Sequence, residues 1–407
     1  MKILILTQWY PPEPDLLIQE LAQTLMAHGH HVTVLTGFPN YPSGQLYPGY
    51  RLKLLQKETI VGVPVVRVFL YPEHSRSEIK RALNYLSFAV SAATLGWLAV
   101  SKPDVMFVWH PPLTIGIPAY ILSRLWCVPF FYHIEDIWPE TLSATGMMNN
   151  PAVLNGVGKL AMWIYRKSAE IGVISPGFRE NLIKKGVPTD KIHVIFNWVD
   201  TEAYDVTAPD PVLAEELGLS NRFNVMFAGN IGEAQGLEVV LDAAKLLRDL
   251  KDVQFVLVGD GVALPRLNQT AIDQALNNVL FLGRYPQDRM PALYALADVL
   301  LVHLKDDPLF RITIPCKIMT YLASGKPILA AVAGDAAKVV KDADAGLGCP
   351  PGNPEALAES VQKFYHLDRE ELRRMGMNGR RAAQNMYSRE YSVSKIEAIL
   401  QQASISF

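Results

Sequence analysis

Short apolar runs alternate with longer amphipathic stretches along almost the whole chain, and this alternation constrains the fold more than any other feature. The runs are rich in β-branched residues and predict strands, while the stretches between them predict helices. The predicted strands are residues 2–7, 31–36, 65–69, 105–108, 130–133, 171–174, 193–195, 224–227, 254–258, 279–281, 299–302, 328–331 and 346–348. Strands that alternate with helices in this way are typical of parallel sheets covered by helices on both faces.

A proline-rich break near residues 201–211 divides this pattern into two halves, each of which begins with a strand. At 407 residues the chain is long enough for two domains. We therefore predict two Rossmann-like α/β domains with doubly wound parallel sheets, residues 1–205 and 206–385, facing each other across a cleft. A helix over residues 386–407 would complete the second domain or cross back to the first. A TIM barrel is the main alternative, and the two fresh starts argue against it.

The composition excludes several classes of function. A net charge of -2 gives no electrostatic reason to expect a nucleic-acid partner. The three cysteines are widely spaced, which suits neither a disulfide framework nor a zinc site and favours thiols in a reducing compartment. The apolar run at the N-terminus is too short for a secretory signal, so we expect a cytoplasmic protein.

A glycine-rich loop opens the second half, directly after the predicted strand at 224–227. It contains Gly229, Asn230, Gly232 and Gln235 and leads into an amphipathic helix. Glycine lets the backbone approach a ligand closely, and free N–H groups at a helix start suit a diphosphate. A tight turn whose glycines only satisfy backbone geometry is an equally good interpretation of this loop taken alone.

Further glycine turns follow the next strands, at Gly259 and at Gly283-Arg284, and their order resembles the C-terminal domain of glycosyltransferase family 4, whose members have the GT-B fold. The matching motifs are Gly-Asn-Ile-Gly (229–232), Ala-Gln-Gly-Leu-Glu (234–238), Val-Gly-Asp-Gly (258–261), Phe-Leu-Gly-Arg (281–284), Pro-Cys-Lys-Ile (315–318), Tyr-Leu-Ala-Ser-Gly-Lys-Pro (321–327), Pro-Gly-Asn-Pro-Glu-Ala-Leu (351–357) and, in the first half, Tyr-Pro-Pro-Glu-Pro (10–14), His-Gly-His-His-Val (28–32) and Asp-Ile-Trp-Pro-Glu (136–140). The segments 136–140, 196–198 and 234–237 look most like the subgroup that transfers N-acetylfucosamine, fucose or similar sugars to surface polysaccharides.

This resemblance implies that the second domain binds a UDP- or GDP-linked sugar as co-substrate, with no other cofactor. Gly229 and Gly232 would approach the diphosphate, Lys317 would lie near the phosphates and Arg284 near the base. The rest of the predicted donor site is Asn230, Gln235, Gly259 and Thr320. Helix N-termini and basic side chains, rather than a metal ion, would stabilise the charge of the leaving group.

The most polar segment of the first half lies at the carboxyl end of the predicted strand 130–133. Asp136 matches the acidic position of the family motif and would contact the acceptor hydroxyl or the transferred sugar, the acceptor being a glycan or a lipid-linked sugar. His133 would be a proton partner, because an imidazole titrates near neutrality. The alternatives are that Asp136 caps the next helix and that His133 is a core histidine with satisfied hydrogen bonds.

Three departures from the family pattern bear on catalysis. The stretch 14–18 has bulky leucines where the family has glycines, and Ile312 and Thr320 stand where the family places two glutamates. Glu233 and Gln235 replace an arginine and a lysine that many relatives use for the diphosphate. A retaining transferase and a weakened or silent homologue that binds a nucleotide, a glycan or a partner transferase are therefore both open. A nucleotide-sugar epimerase is less favoured, because it would need more carboxylates in the cleft.

A basic end precedes an apolar helix in the first domain. Arg76, Lys80 and Arg81 come before residues 83–100, which contain three aromatic side chains. Peripheral contact with an anionic membrane face is one interpretation of this arrangement. A packed helix of the first domain is the other, and polar residues interrupt the run too often for us to expect a membrane span.

Overall fold

The computed structural model describes residues 1–14, 16–74 and 77–406, except for the side chains of Glu78 and Ser406. Two residues used in the predictions above lie outside the described residues. They are Asp15, in the stretch that lacks glycine, and Arg76, in the basic end before the apolar helix.

The chain divides into two compact units, each described here by itself. Unit 1 comprises Met1–Phe196 and Arg389–Phe407, and unit 2 comprises Asn197–Ser388. The first limit lies before the predicted boundary because the segment that follows it is bound to unit 2. Arg380, in a helix of unit 2, donates a hydrogen bond of 2.8 Å to the carbonyl of Tyr204.

Eight strands form the sheet of unit 1: β1 (Lys2–Leu6), β2 (His31–Gly37), β3 (Leu55–Ile60), β4 (Val63–Val68), β5 (Val105–His110), β6 (Phe130–Ile134), β7 (Glu170–Val173) and β8 (Ile192–Val194). They lie in the order β3-β4-β2-β1-β5-β6-β7-β8. Each neighbouring pair is parallel except β3 and β4. The central strands β5 and β6 are buried along their whole length, as strands covered on both faces must be.

The antiparallel edge strand β3 differs from the predicted, purely parallel sheet. Its residues alternate between half-buried and exposed positions, which is typical of a strand at the edge of a sheet. It joins β4 through Val61 and Gly62, whose φ angles are 47° and 82°. This is the conformation of a tight hairpin turn, but a valine disfavours it, so the local sequence gives no sign of the turn.

Within its first segment, Met1–Phe196, unit 1 has the helices α1 (Leu17–Ala27), α2 (Glu78–Ser91), α3 (Trp97–Ala99), α4 (Gly116–Trp126), α5 (Glu140–Ala144), α6 (Pro151–Lys167) and α7 (Pro176–Lys184). It also has 3-10 turns at Leu113–Ile115 and Thr189–Lys191. A π-helical segment, Ala92–Gly96, joins α2 to α3. The helical run Ile79–Ala99 is long and apolar enough, by length and composition, to cross a membrane, and 39% of its most apolar window is buried. Core helices of soluble proteins also have this length and composition.

Unit 2 contains a parallel sheet of six strands: β9 (Phe223–Ala228), β10 (Val253–Val258), β11 (Val279–Gly283), β12 (Val299–His303), β13 (Ile328–Ala331) and β14 (Gly346–Gly348). Its helices are α8 (Pro211–Glu216), α9 (Glu238–Leu246), α10 (Leu264–Asp273), α11 (Met290–Ala295), α12 (Lys317–Ala323), α13 (Asp335–Asp342), α14 (Pro354–His366) and α15 (Arg369–Met386), with 3-10 turns at Glu233–Gln235 and Gln287–Arg289. The strand order is β11-β10-β9-β12-β13-β14. The chain therefore reverses direction across the sheet beside β9, and ligands of such sheets bind at the carboxyl ends of the strands at this point.

The last helix, α16 (Arg389–Ser406), belongs to unit 1 and contacts α1, β5 and β6. One carboxylate ties it to the end of α1. Glu397 lies 2.6 Å from Nδ1 of His28 through one oxygen and 2.9 Å from Nε2 of His30 through the other. We call these three side chains the C-terminal clasp. Of the two courses left open for this helix, the structure has the one that returns to the first unit.

Candidate functional site

A cavity of about 740 Å³ lies at the carboxyl ends of β9, β10 and β11 in unit 2. The loops after these strands and the helices α11 and α12 provide its walls. Its lining residues are Ala228, Gly229, Asn230, Val258, Gly259, Asp260, Arg284, Tyr285, Pro286, Gln287, Met290, Tyr294 and Lys317. The structure thus brings together Gly229, Asn230, Gly259, Arg284 and Lys317 from the predicted donor site.

Packing of main chain against main chain explains the glycines in this wall. Gly229 and Gly259 both have a φ of 137°, which residues with a side chain rarely adopt. A Cβ atom added at Gly259 would lie 1.8 Å from the carbonyl oxygen of Gly229. The N–H groups of both glycines already donate to protein carbonyls, at 2.9 Å and 2.8 Å. Glycine therefore serves here to bring two loops into contact, as the tight-turn interpretation predicts.

Lys317 places a buried charged group in the wall of this cavity. Its Nζ is buried, has no hydrogen-bond partner within the described part of the chain, and lies 3.7 Å from the centre of the Phe227 ring. Burial lowers the pKa of Lys317 to about 7. Buried polar groups are almost always hydrogen-bonded, so an unpaired ammonium in a cavity wall is suited to an anion. A diphosphate would supply both the missing hydrogen bonds and the opposite charge.

Three residues of the predicted donor site lie outside the set that lines the cavity. The side chain of Gln235 accepts a hydrogen bond of 3.1 Å from the N–H of Gly232 and so closes the loop on itself. The hydroxyl of Thr320 donates to the carbonyl of Lys317 at 2.9 Å. These residues support the wall, Gly232 and Gln235 by fixing the loop and Thr320 by capping the turn that carries Lys317.

Two aromatic residues also line the cavity. Tyr285 follows Arg284 directly in the wall, where the family resemblance places Arg284 and its neighbours near the base. Half-buried Tyr285 can offer a flat face to a nucleotide base. Tyr294, which was not predicted, is buried on α11 with its ring 5.3 Å from that of Tyr321. Burial raises the pKa of the Tyr294 phenol, whose hydroxyl also interacts with Thr320. The position of Tyr294 depends on how α11 packs, so no local motif in the sequence identifies it.

Glu233, one of the departures from the family pattern, is paired within unit 2. Its carboxylate lies 3.1 Å from the guanidinium of Arg266 and 3.6 Å from Nζ of Lys305. Arg266 also pairs with Glu238, so two carboxylates share these two cations and the charge that Glu233 adds to the glycine loop is offset. This lessens the repulsion that an anionic ligand would meet there.

In unit 1, His133 lies on β6 and is completely buried. Its ring stacks on Trp109 with 4.9 Å between centroids, and its Nε2 lies 2.8 Å from a carboxylate oxygen of Glu135. A Cβ atom added at Gly172, on the neighbouring strand, would lie 2.4 Å from its Nδ1. The imidazole is thus enclosed by the sheet, and its Nε2 faces Glu135, the first residue after β6. The partner of His133 is Glu135, a residue that the sequence motif did not single out.

Asp136 lies two residues after the end of β6 and is half-buried. Burial, and then the charge of Glu135, raise the pKa of Asp136 to about 6. The carboxyl group is still mainly ionised at neutral pH and would gain a proton in mild acid. This pKa suits a group that exchanges a proton or balances a developing positive charge near neutrality.

The loop after β1, where the family has glycines, is held by a buried carboxylate. Glu13 accepts hydrogen bonds of 2.9 Å from the N–H groups of Tyr10, Asn40 and Tyr41. Burial raises the pKa of Glu13 to about 7. Leu16, one of the bulky leucines of this stretch, is 40% exposed. The loop is therefore built around a side chain rather than around glycine.

Comparison with known protein families gives two matches. Residues 222–366 match the family described as Glycosyl transferases group 1, and residues 17–198 match the Glycosyl transferase 4-like domain. The first match covers the strands and loops that form the cavity of unit 2. The second covers β6 and the segment that carries Asp136.

Individual proteins match along most of their length. A glycosyl transferase of Escherichia coli named for colanic acid biosynthesis, WcaI, is 30% identical over 80% of this chain and 82% of its own. The glycosyltransferase WbjE of Pseudomonas aeruginosa is 27% identical over 70% of each chain. Among solved structures, HepE of Anabaena in complex with UDP superimposes with a TM-score of 0.73, at 20% identity, over 99% of this chain and 100% of its own.

Proposed function

Because the chain belongs to the Glycosyl transferases group 1 family and has the GT-B fold, we propose that it moves a sugar from a nucleotide donor to a glycan acceptor. The donor is a UDP- or GDP-linked hexose, and the acceptor is a polysaccharide or a lipid-linked sugar. The reaction retains the configuration at the anomeric carbon and uses no metal ion. The acceptor hydroxyl forms the new bond to that carbon, the bond to the diphosphate breaks, and the hydroxyl proton is released.

The observation that carries this proposal is the buried, unpaired ammonium of Lys317 in the cavity of unit 2. A nucleoside diphosphate is the leaving group of the reaction, and its developing negative charge would be stabilised by this cation. The neighbouring Arg284 and Tyr285 are suited to the nucleoside, since they offer a cation and an aromatic face. The complex of HepE with UDP supports UDP as the first nucleotide to test.

In unit 1 we assign Asp136 to the acceptor hydroxyl or the transferred sugar. Its raised pKa supports this role, because a carboxylate that titrates near pH 6 can take up a proton during turnover. Buried His133 would act through Glu135, by fixing the orientation of that side chain. We therefore treat His133 as a positioning residue rather than as a group that touches the substrate.

Calorimetry with UDP, GDP and their sugar conjugates tests the donor assignment. We expect one of the two nucleotides to bind with a stoichiometry of about one per chain, because Lys317 and Arg284 line the same cavity in unit 2. Failure of both nucleotides and all conjugates to bind would overturn the enzyme assignment. Transfer is then followed by mass spectrometry with a panel of glycan and lipid-linked acceptors.

The sugar itself is assigned more narrowly from sequence. The segments at 136–140, 196–198 and 234–237 favour N-acetylfucosamine, fucose or a related sugar, and surface polysaccharide as the product. The name of the E. coli relative, which refers to colanic acid biosynthesis, supports a polysaccharide product. Competition between UDP-N-acetylfucosamine, GDP-fucose and UDP-glucose in the calorimeter would separate these donors.

A second candidate function is a homologue that binds a nucleotide or glycan without turnover. Ile312 and Thr320 favour it, since neither can supply the carboxylate that the family places at these positions. The hydroxyl of Thr320 is already directed to the carbonyl of Lys317. Tight nucleotide binding with no transfer to any acceptor, and no slow hydrolysis of the donor, would favour this function over the first.

We further propose that the protein is cytoplasmic and rests on the membrane through α2 and α3. One stripe of this helical run is exposed: Ile79, Leu83, Leu86, Val90 and Trp97 are between 45% and 77% exposed. Their spacing places them on one face of a helix. Lys80 and Arg81 lie at its start, where they could meet anionic headgroups.

Co-sedimentation with phosphatidylcholine vesicles, with and without phosphatidylglycerol, tests this contact. We expect binding only to the anionic vesicles and its loss in the double variant Leu83→Gln, Val90→Gln. Leu54, which is 70% exposed elsewhere in unit 1, supplies the control Leu54→Gln. Equal loss in the control and the double variant would contradict a specific contact by this stripe.

A further inference from the structure

A second cavity, of about 920 Å³, lies in unit 1 between α6 and the segment that leads into α5. We call it the α5–α6 cavity. Trp138 and Pro139, two and three residues after Asp136, form part of its wall, and α6 forms most of the rest. A ligand in this cavity would therefore lie beside the segment to which we assign the acceptor. None of the residues predicted as site residues from the sequence lines it.

The wall of this cavity has an excess of positive charge. Lys159, Arg166 and Lys167 project from α6, and Lys185 lies at the end of α7. Glu140 is the acidic residue in the wall, and it pairs with Lys185 at 2.5 Å. Three cations are thus left to face an anion.

Those three cations have few competing partners. Neither Lys159 nor Arg166 forms an ion pair with a described residue, and both are exposed. Lys167 lies 5.8 Å above the ring of Tyr120, a weak cation–π contact. The charges of this wall are therefore available to bind a ligand, since they are not used in ion pairs with described residues.

Buried polar atoms in the same wall also lack partners. The hydroxyl of Tyr165 and the second carboxylate oxygen of Glu140 are buried and form no hydrogen bond to any described residue. Such atoms are rare in folded proteins, and a bound polar molecule is one way of satisfying them. Beside them, the rings of Trp138 and Trp163 provide half-buried apolar surface. The cavity therefore combines cations, unsatisfied hydrogen-bonding groups and flat apolar faces.

An exposed apolar surface lies next to this cavity on α4. Tyr120 of α4 packs edge-on against Trp163 of α6, with 4.8 Å between ring centroids. The next residue, Ile121, and Leu125 one turn further are 37% and 53% exposed. Helix α4 also contacts α2, which carries the exposed stripe described above. An apolar chain could thus extend from the cavity along α4 towards α2.

We propose that the α5–α6 cavity binds the phosphate or diphosphate of an amphiphilic acceptor, in which that group links the sugar to an apolar chain. This inference rests on the proposed transferase function and narrows its acceptor to the lipid-linked class. Lys159, Arg166 and Lys167 bind the phosphate oxygens. Trp138 and Trp163 contact the apolar or sugar part, and the chain follows α4 towards the membrane-facing stripe.

The experiment measures binding to the full chain by calorimetry with three probes: farnesyl diphosphate, inorganic pyrophosphate and farnesol. We expect farnesyl diphosphate to bind at least about tenfold more tightly than either probe that lacks one half of the molecule. UDP is present at saturation in every titration, because the cavity of unit 2 is also suited to a diphosphate. Under this condition, pyrophosphate binding as tight as that of farnesyl diphosphate would show a site for free phosphate and overturn the proposal. Equal binding of farnesol would show a purely apolar site and overturn it as well.

The double variant Lys159→Gln, Arg166→Gln locates the site. Both side chains are exposed, so we expect the fold to be retained and farnesyl diphosphate to bind about tenfold or more weakly. Lys184→Gln, an exposed lysine on α7 outside the cavity wall, is the matched control and should bind as the unaltered chain does. Unchanged affinity in the double variant would overturn the proposal.

UDP binding, measured in the same samples, separates this inference from the proposed function. Retained UDP binding together with no binding of farnesyl diphosphate would overturn only the acceptor assignment. Failure of the unaltered chain to bind UDP would instead overturn the donor assignment on which the proposed function depends. The two failures are therefore distinguishable.

Discussion

The two cavities of this protein are built in different ways. That of unit 2 is walled at the strand ends by main chain, where Gly229 and Gly259 allow two loops to touch. That of unit 1 is walled mostly by side chains on α6, of which Lys159 and Arg166 are exposed and form no ion pair with a described residue. A substitution in the first wall must disturb the backbone, whereas one in the second should change only what binds. We thus assign the diphosphate, which the proposed UDP- and GDP-linked donors share, to the main-chain wall of unit 2. We assign the acceptor to the side-chain wall of unit 1, which substitutions can alter without disturbing the backbone.

The strongest test of this comparison is Gly259→Ala. The new methyl group would meet the carbonyl oxygen of Gly229, so we expect loss of measurable UDP binding and a destabilisation above about 3 kcal/mol. Calorimetry and denaturant unfolding would measure the two effects. Gly218→Ala is the control, because Gly218 also has a positive φ, 69°, but has no described atom within 4 Å of the added Cβ. If both variants lost only about 1 kcal/mol, the strain of φ alone, the contact between the loops would be unimportant.

Asp136→Asn tests whether a side chain of unit 1 can be changed without loss of the fold. The two side chains have nearly the same shape, so we expect unchanged UDP affinity and a transfer rate lower by about 10²–10⁴-fold. In the unaltered chain the rate should fall as the pH drops below about 6, because the carboxyl group then gains a proton. Kinetics over a pH series would measure both effects, with the exposed Asp190→Asn as control. Transfer at the unaltered rate would remove Asp136 from the mechanism.

Lys317→Met sharpens the contrast between a group that serves the ligand and one that serves the fold. We expect UDP to bind about 10–100-fold more weakly, since a hydrogen bond to a charged group contributes about 1.5–3 kcal/mol. Stability should stay the same or rise, because a buried ammonium without a partner is removed. Lys326→Met is the matched control, because Nζ of Lys326 donates a hydrogen bond of 2.7 Å to the carbonyl of Ala295. Loss of this bond should destabilise unit 2 without lowering its affinity for UDP.

The lowered pKa of Lys317 also makes UDP binding depend on pH. With a pKa of about 7 the free side chain is mostly neutral at pH 8, and a bound diphosphate favours its charged form. Binding should therefore take up a proton at pH 8 and weaken as the pH rises above 7. Calorimetry in buffers of different ionisation enthalpy measures this uptake, which should vanish in Lys317→Met. The same uptake in the variant would assign the proton to another group.

The smallest expected effect concerns the C-terminal clasp. The hydrogen bond that His28 donates to Glu397 raises the pKa of His28, and the nearby Glu390 adds to this effect. Burial alone would raise the pKa of Glu397, but hydrogen bonds with His30 and His28 lower it. The His28 contribution is complete below its ordinary pKa of 6.5 and is lost as the pH rises through the raised value. The Glu397 contribution is present above 4.5 and is lost as the pH falls through the lowered value.

The clasp should therefore hold α16 best between about pH 4.5 and 6.5, and Glu397→Gln should cost unit 1 about 1 kcal/mol or less in that range. Hydrogen exchange of the α16 amides would measure this, with each variant compared with the unaltered chain at the same pH. Glu170→Gln breaks another His–Glu pair of unit 1, that with His193 at 2.7 Å, and should leave α16 unchanged. The measured rates are corrected for the intrinsic pH dependence of amide exchange. If α16 then lost protection between pH 6 and pH 8 in Glu397→Gln but not in the unaltered chain, the clasp would not be the cause.

The fold was largely predictable because it depends on repeated local patterns. Buried apolar runs separated by helices identify the parallel strands of both units, and the order of the glycine turns identifies the GT-B fold. The strand β3 was not predictable, since its turn places a valine at positive φ. Neither was the course of α16, which depends on contacts with α1, β5 and β6 that are distant in sequence, such as that between His28 and Glu397, 369 residues apart.

The sites were predictable only where short motifs form them. Gly229, Gly259, Arg284 and Lys317 stand in such motifs and line one cavity. The role of the glycines differs from the expected one, because their N–H groups bond to neighbouring carbonyls. Residues whose position is set by helix packing, such as Tyr294 and the α6 residues that line the α5–α6 cavity, leave no local signal. Trp138, Pro139 and Glu140 of that cavity do stand in a motif, the one at 136–140. The pairing of His133 with Glu135 rather than Asp136 likewise depends on side-chain directions at the end of a strand.

The return of the last helix to unit 1 has a consequence for synthesis of the chain on the ribosome. Unit 2 is one continuous segment, whereas unit 1 needs its first 196 residues and also the 18-residue helix α16, which follows unit 2 in the sequence. The unit that is begun first is thus completed second. Until α16 has been translated, the surface of β5 and β6 that it contacts is open to chaperones and to other nascent chains. A premature stop before residue 389 would leave unit 2 complete and unit 1 without the helix that covers part of its sheet.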